Sequence, residues 1–196
     1  MPRKKSVKLA ARTFNDTADS ACQFLEKVSA GQSDEHVSWL YNYAVIRLYR
    51  EFEGLMLSAL VGAINNDTST LEKTTGVSFP QHLTDEVCEF LITGTGYFDF
   101  KGRSGLIKTL KRLVPDDHYL VTTVKKAAYT SALDQLSALR NFAAHESYPS
   151  KRAVLDALEV KRISSSGAWL KKQSRFEALA ADLKRLAAEI ESAAPY

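Results

Sequence analysis

Apolar and polar positions alternate along this chain with a helical period almost from end to end. Phe14, Ala18, Ala21, Cys22, Leu25 and Val28 recur at helical spacing, which predicts a first helix stopped by Gly31. Ser33 reads as the N-cap of a second helix, with Asp34 and Glu35 in the first turn where the helix dipole favours acids. From Val37 through Leu40, Val45, Leu48, Phe52, Leu55, Met56 and Ala59 to Ala63 the stripe is unbroken, and it ends at Asn65-Asn66-Asp67. That predicts the longest helix of the chain, roughly 30 residues or ~45 Å.

Residues 67–81 are rich in Thr, Ser and Gly and read as a loop closed by Phe79-Pro80. A short helix is expected from Thr84, carrying Val87, Phe90 and Leu91 and stopping at Gly94-Thr95-Gly96. The following Tyr97-Phe98-Asp99-Phe100-Lys101-Gly102-Arg103-Ser104-Gly105 is aromatic and glycine-rich. It lacks a preceding strand and a following Gly-Lys-Ser/Thr, so a loop whose aromatics plug the core is expected rather than a phosphate cradle.

After Leu106, Ile107, Leu110 and Leu113, Pro115-Asp116-Asp117 forms a turn, and a helix rises from about Thr123. Its stripe is Tyr129, Ala132, Leu133, Leu136, Leu139 and Ala143, and Pro149 places its end near His145 by disfavouring helix at Tyr148. A short helix around residues 151–161 breaks at Ser164-Ser165-Ser166-Gly167. Trp169, Phe176, Leu183 and Ile190 then fall seven apart with Leu179 and Leu186 between them, a coiled-coil-like seam on a long C-terminal helix. With no convincing strand and no internal repeat, the expected fold is all-α. It is a single-domain helical bundle over residues 13–196, preceded by a basic flexible arm at residues 1–12.

Composition changes this picture little. Hydrophobic residues make up 45% and charged residues 25%, with a net charge of +3, which excludes a polyanion-coating protein and a disordered chain. No run approaches the ~18 apolar residues of a membrane span, and no apolar segment follows the basic start. Cys22 and Cys88 sit inside apolar helical patterns without CxxC spacing, so buried free thiols in a reducing cytoplasm are expected. Basic residues come in pairs, among them Lys125-Lys126 and Lys151-Arg152, which are candidates for phosphate contact; solvated faces and helix ends are the plainer account of such pairs.

Candidate chemistry concentrates in Arg140-Asn141-Phe142-Ala143-Ala144-His145. Arg140 continues a line of residues that otherwise faces the core, where an unpaired cation is costly. Asn141 and His145 are one turn apart and share a side of the helix. Metal-independent cleavage of RNA needs a base for the 2′-hydroxyl and positive charge for the phosphate, tasks that suit an imidazole and a guanidinium. One copy supplies one imidazole, and a symmetric dimer supplies two. No HExxH, GxSxG, Walker loop or paired Cys/His ligand spacing occurs, so no metal or cofactor is expected. A structural role competes with this reading: Arg140 could pair within the bundle, and His145 could sit at a helix C-terminus for its dipole.

At these residues the chain resembles the HEPN superfamily of helical bundles, whose ribonuclease members carry Arg, a polar residue, three variable residues and His. Arg140, Asn141 and His145 stand at those positions. Arg50-Glu51-Phe52-Glu53 on the long helix is similar to an aromatic–Glu element often found there, and Tyr97 to Arg112 resembles the RiboL-PSP-HEPN branch. The resemblance covers about residues 35–160. It implies a homodimeric endoribonuclease with a composite site of Arg140, Asn141 and His145 from both protomers, acting as a toxin or anti-phage effector restrained by an antitoxin or defence-system partner. The alternative it leaves is a catalytically silent module that binds nucleotide or protein. Glu53 and Lys126 are candidate supports of the site by location.

Overall fold

In the computed structural model, which describes residues 6–80 and 82–195, α2 (Asp34–Asn66) is the element on which most of the others pack. Ser33 caps it as expected, its Oγ accepting from the His36 N–H at 3.2 Å. The helix has 33 residues and so spans about 50 Å. Val45, Leu48, Phe52, Met56, Ala59 and Leu60 are fully buried along it, each large side chain contributing on the order of 2 kcal/mol of transfer energy.

The first helix, α1 (Val7–Ser29), lies along α2 and the last helix. It starts earlier than the apolar period indicates. Ser6 is its N-cap, with Oγ accepting from Leu9 N–H, and Val7 and Ala11 are buried. Residues 7–12 are therefore helix and not arm; residues 1–5 of that expected arm lie outside the described residues. The loop expected at 67–81 contains a short helix, α3 (Ser69–Thr75), ended by Gly76 in the left-handed region at φ +70°. The helix expected from Thr84 is α4 (Asp85–Thr93), with Thr84 as its cap, but Cys88 and Ile92 face the core while Val87 and Phe90 are exposed. That helix is too short for its period to fix which face turns inward.

Of the aromatic stretch, Phe100 plugs the core, stacked on Tyr49 with centroids 5.0 Å apart and edge-on to Phe52. Tyr97 does not: it is 97% exposed. The glycines after it open α5 (Gly102–Leu113). Two short turns, α6 (Tyr119–Val124) and a 3-10 turn at Ala127–Tyr129, precede α7 (Thr130–His145), which begins later than the expected Thr123.

α7 is the inner helix, packed against α2, α5 and α8 (Tyr148–Leu158). It ends as expected at His145, with Glu146 in the left-handed region at φ 44°. α8 starts three residues on, with Pro149 in its first turn and a capping box between Ser147 and Ser150.

The long C-terminal helix divides in two. α9 (Ser166–Leu170) is separated from α10 (Arg175–Ala193) by a break in which Gln173 and Ser174 both have positive φ. Trp169 therefore leaves the seven-residue seam, while Phe176, Leu179, Leu183, Leu186 and Ile190 bury it as the pattern predicts. The break lets α9 turn across α2. Gly167 touches α2 so closely that a Cβ there would sit 1.8 Å from the Ser38 carbonyl oxygen. Its N–H donates to Asn42 Oδ1 at 2.6 Å, and Ser166 Oγ donates to the Leu139 carbonyl of α7 at 2.7 Å. Lys171 completes the clasp, its Nζ 2.7 Å from Asp34 Oδ1 and 2.8 Å from Ser38 Oγ.

Candidate functional site

Arg140 projects from α7 toward α2 at the level of Tyr49 and Glu53, one helical turn apart on α2. Its guanidinium carbon lies 4.7 Å from the centroid of the Tyr49 ring, a cation–π contact. Nη1 donates to Asn141 Oδ1 at 2.8 Å. The cation expected to sit on a core-facing line is thus half-buried and held by an aromatic face and an amide. It lines a groove of about 560 Å³ whose other wall is the Tyr97–Asp99 segment.

The groove is rich in groups that can exchange or share protons. The Tyr49 hydroxyl lies 2.7 Å from Asp99 Oδ1 and 2.9 Å from the Phe100 carbonyl, two acceptors for its single proton. Burial, and then the Asp99 acceptor, push the phenol well above its ordinary range. Burial, followed by the charge of Asp99, pushes the Glu53 carboxyl up to about 7, against the pull of Arg140 and Tyr49. Glu53 is therefore poised between acid and base near neutrality.

His145 occupies the last position of α7 and is exposed. Along the helix it stands about 7.5 Å from Arg140 and roughly 140° around the axis. With the guanidinium turned onto Tyr49, one chain does not aim both groups at the same point. Asn141 shares the side of His145, but its oxygen is engaged by Arg140, so it orients the guanidinium.

The basic candidates separate. Lys151 and Arg152 are exposed in the first half of α8, which follows His145 directly. Lys125 and Lys126 lie before the opposite end of α7, roughly 24 Å from His145 along its axis. Lys126 Nζ is engaged there by Glu189 at 2.7 Å, and the Lys125 carbonyl accepts from Arg103. The structure thus does not bring Lys125 or Lys126 to Arg140, either as phosphate contact or as support.

Glu53, singled out by its place on the long helix, does join Arg140. Tyr49 and Asp99 were not anticipated. Tyr49 lies outside the apolar stripe read on α2, and Asp99 was read only as part of an aromatic, glycine-rich loop; a turn-spaced Tyr49–Glu53 pair was the one available signal. A second groove of about 390 Å³ between α1 and α2, beside Phe24 and Tyr43, is almost wholly apolar. Among the described residues no group of His, Cys, Asp and Glu is arranged to hold a metal ion, and no helix is long and apolar enough to cross a membrane. Cys22 and Cys88 are free thiols. In comparisons with known proteins, no family model, no curated relative and no solved structure matches the chain.

Proposed function

We propose that the chain is a metal-independent endoribonuclease of HEPN type that acts as a homodimer. The observation that carries this reading is Arg140: a half-buried guanidinium at the wall of a solvent-open groove, fixed by Tyr49 and Asn141, with an exposed histidine further along the same helix. A packing arginine has no need of an open groove. A phosphate-stabilising one does, because its charge must be held in place before substrate arrives.

The divergence of Arg140 and His145 favours a composite site. His145 of one protomer takes the 2′-hydroxyl proton, and the 2′-oxygen attacks the adjacent phosphorus. The 5′-oxygen leaves with a proton from the partner's His145, giving a 2′,3′-cyclic phosphate and a 5′-hydroxyl end. The two Arg140 guanidinium groups counter the extra charge on the phosphate, and Lys151 and Arg152 hold the flanking backbone. Such an enzyme would work in the cytoplasm as a toxin or anti-phage effector, restrained by an antitoxin or defence-system partner.

The silent-module reading has one observation in its favour: Arg140 already makes contacts inside its own bundle. The two separate in one experiment, incubation of labelled RNA in EDTA with wild-type protein and His145→Ala, with oligomeric state followed by light scattering. The enzyme reading expects EDTA-resistant cutting by a dimer, lowered by 10²-fold or more in the variant. Folded, dimeric wild-type protein that leaves RNA intact would rule in favour of the silent module.

A further inference from the structure

The groove at Arg140 carries more chemistry than holding a phosphate uses. Glu53 and Asp99 present carboxylate oxygens there, close enough that the charge of one resists ionisation of the other. Tyr49 supplies this pair with a single hydroxyl, 2.7 Å from Asp99 Oδ1, and Arg140 lies beside them, which leaves carboxyl oxygens able to accept from a ligand. Arg50 is exposed on the same wall, and Tyr97 stands at the rim with almost its whole ring in solvent. An aromatic side chain left this open beside a groove that carries charged groups offers a stacking surface.

Gly54 adds an independent sign. It lies in the middle of α2, lines the groove, and a Cβ added there would meet nothing within 4 Å. Packing does not demand a glycine at this point, and helix propensity disfavours one. Its effect is to keep this part of the groove's α2 wall at backbone level, so that a flat ligand can lie against it.

We infer that this groove is a subsite for an unpaired guanine base of the RNA strand. The inference rests on the RNA-cleaving reading above and names what that site selects. The Watson–Crick edge of guanine offers two adjacent donors, N1–H and the N2 amino group, followed by the O6 acceptor. Asp99 and the ionised form of Glu53 meet the donors, Arg50 donates to O6, and Tyr97 stacks on the ring. Adenine and cytosine each place one donor next to an acceptor, and uracil has a single donor between two acceptors. Each would set at least one lone pair against a carboxylate. With the base seated here, Arg140 reaches the adjoining phosphate, so the guanine lies next to the bond that is cut.

The test is calorimetric titration of the full-length His145→Ala protein, which removes cleavage from the measurement, with 3′-GMP, 3′-AMP, 3′-CMP and 3′-UMP. The expected result is 3′-GMP binding at least tenfold more tightly than the other three. Glu53→Gln should abolish the preference, and Tyr97→Ala should weaken all four about equally. Gly54→Leu should abolish binding while leaving the protein at least as heat-stable as before, which separates a filled groove from an unfolded one. Equal affinity for the four, or no binding, overturns the inference. Binding of GTP more tightly than a short single strand containing one guanine also overturns it, by assigning a free nucleotide. Guanine preference without any RNA cleavage by the wild type would keep the subsite and reject the nuclease reading; cleavage without preference would do the reverse.

Discussion

Asp134 and Arg140 lie on the same helix, both half-buried, and their polar groups are used in opposite ways. Asp134 Oδ1 accepts from the Arg103 N–H at 2.8 Å, and Ser137 Oγ, one turn on, accepts from the Gly102 N–H at 3.2 Å. Together they cap α5, whose own N-cap residue, Lys101, makes no side-chain bond. Their polarity goes to backbone groups that would otherwise be orphaned. Arg140 spends its contacts on an aromatic face and a neighbouring amide, and Glu53 beside it remains close to half-protonated at neutral pH. A polar group recruited for folding ends saturated by backbone. One left with open hydrogen-bonding capacity toward a groove is where chemistry is to be sought.

The contrast can be broken most forcefully on the structural side. Gly167→Ala pushes a methyl into the Ser38 carbonyl, which neither backbone can easily yield. A loss of at least about 3 kcal/mol is expected, read as a fall in Tm of about 6 °C or more. Unchanged thermal stability would show that α9 is not clasped to α2 as described.

Asp134→Ala should cost about 1–2 kcal/mol through the lost cap, with RNA cleavage per folded molecule unchanged. Arg140→Ala should do the converse, lowering cleavage by roughly 10²-fold or more with a smaller effect in thermal melts. If both variants lose stability and neither loses activity, the division between the two ends of α7 fails.

Glu53→Gln sharpens the comparison through pH. The folded-state value of the Glu53 carboxyl is raised, so the native state binds more protons than the unfolded chain between the ordinary carboxyl range and about 7. Its contribution to stability is therefore fullest at acid pH and is lost as pH rises through about 7. Wild-type protein should lose on the order of 1 kcal/mol between pH 5 and 8 relative to Glu53→Gln, after allowing for the groove's contact with solvent. Parallel melting curves for the two proteins across that range would contradict this.

The smallest effect concerns the turn after His145. Glu146 adopts φ 44°, a conformation that glycine takes without a Cβ penalty. Glu146→Gly should raise stability by about 0.5–1 kcal/mol, and urea denaturation will register it as a higher midpoint with an unchanged slope.

Much of the fold was legible before any coordinates. Ser33 as a cap, the start of α4 at Thr84, the stop at Asn65-Asn66-Asp67 and the end of α7 at His145 all follow from local chemistry, since a cap or a proline acts within one turn of itself. The misread parts are short or depend on distant partners. α3 and α9 are too brief for a period to register, and the break at Gln173–Ser174 interrupts an otherwise regular seam without a glycine or proline to announce it. The α5 cap was invisible because its donors and acceptors are more than thirty residues apart along the chain.

For the candidate site, the sequence by itself determined which candidate residues stand on α7: a cation on a core-facing line, and an amide and an imidazole one turn apart. Helical geometry alone dictates that spacing. Only the tertiary structure decided what surrounds them. The crossing of α7 on α2 set Arg140 over Tyr49 and beside Glu53, and the Tyr97–Phe100 segment delivered Asp99 to the same groove while leaving Tyr97 in solvent. It also engaged Lys126 with Glu189 of α10, at the end of α7 away from His145. The physical reason is range: propensity and periodicity report on the few residues around a position, whereas the burial and the charge of Asp99 that shift Glu53 toward neutrality come from elements distant in the chain.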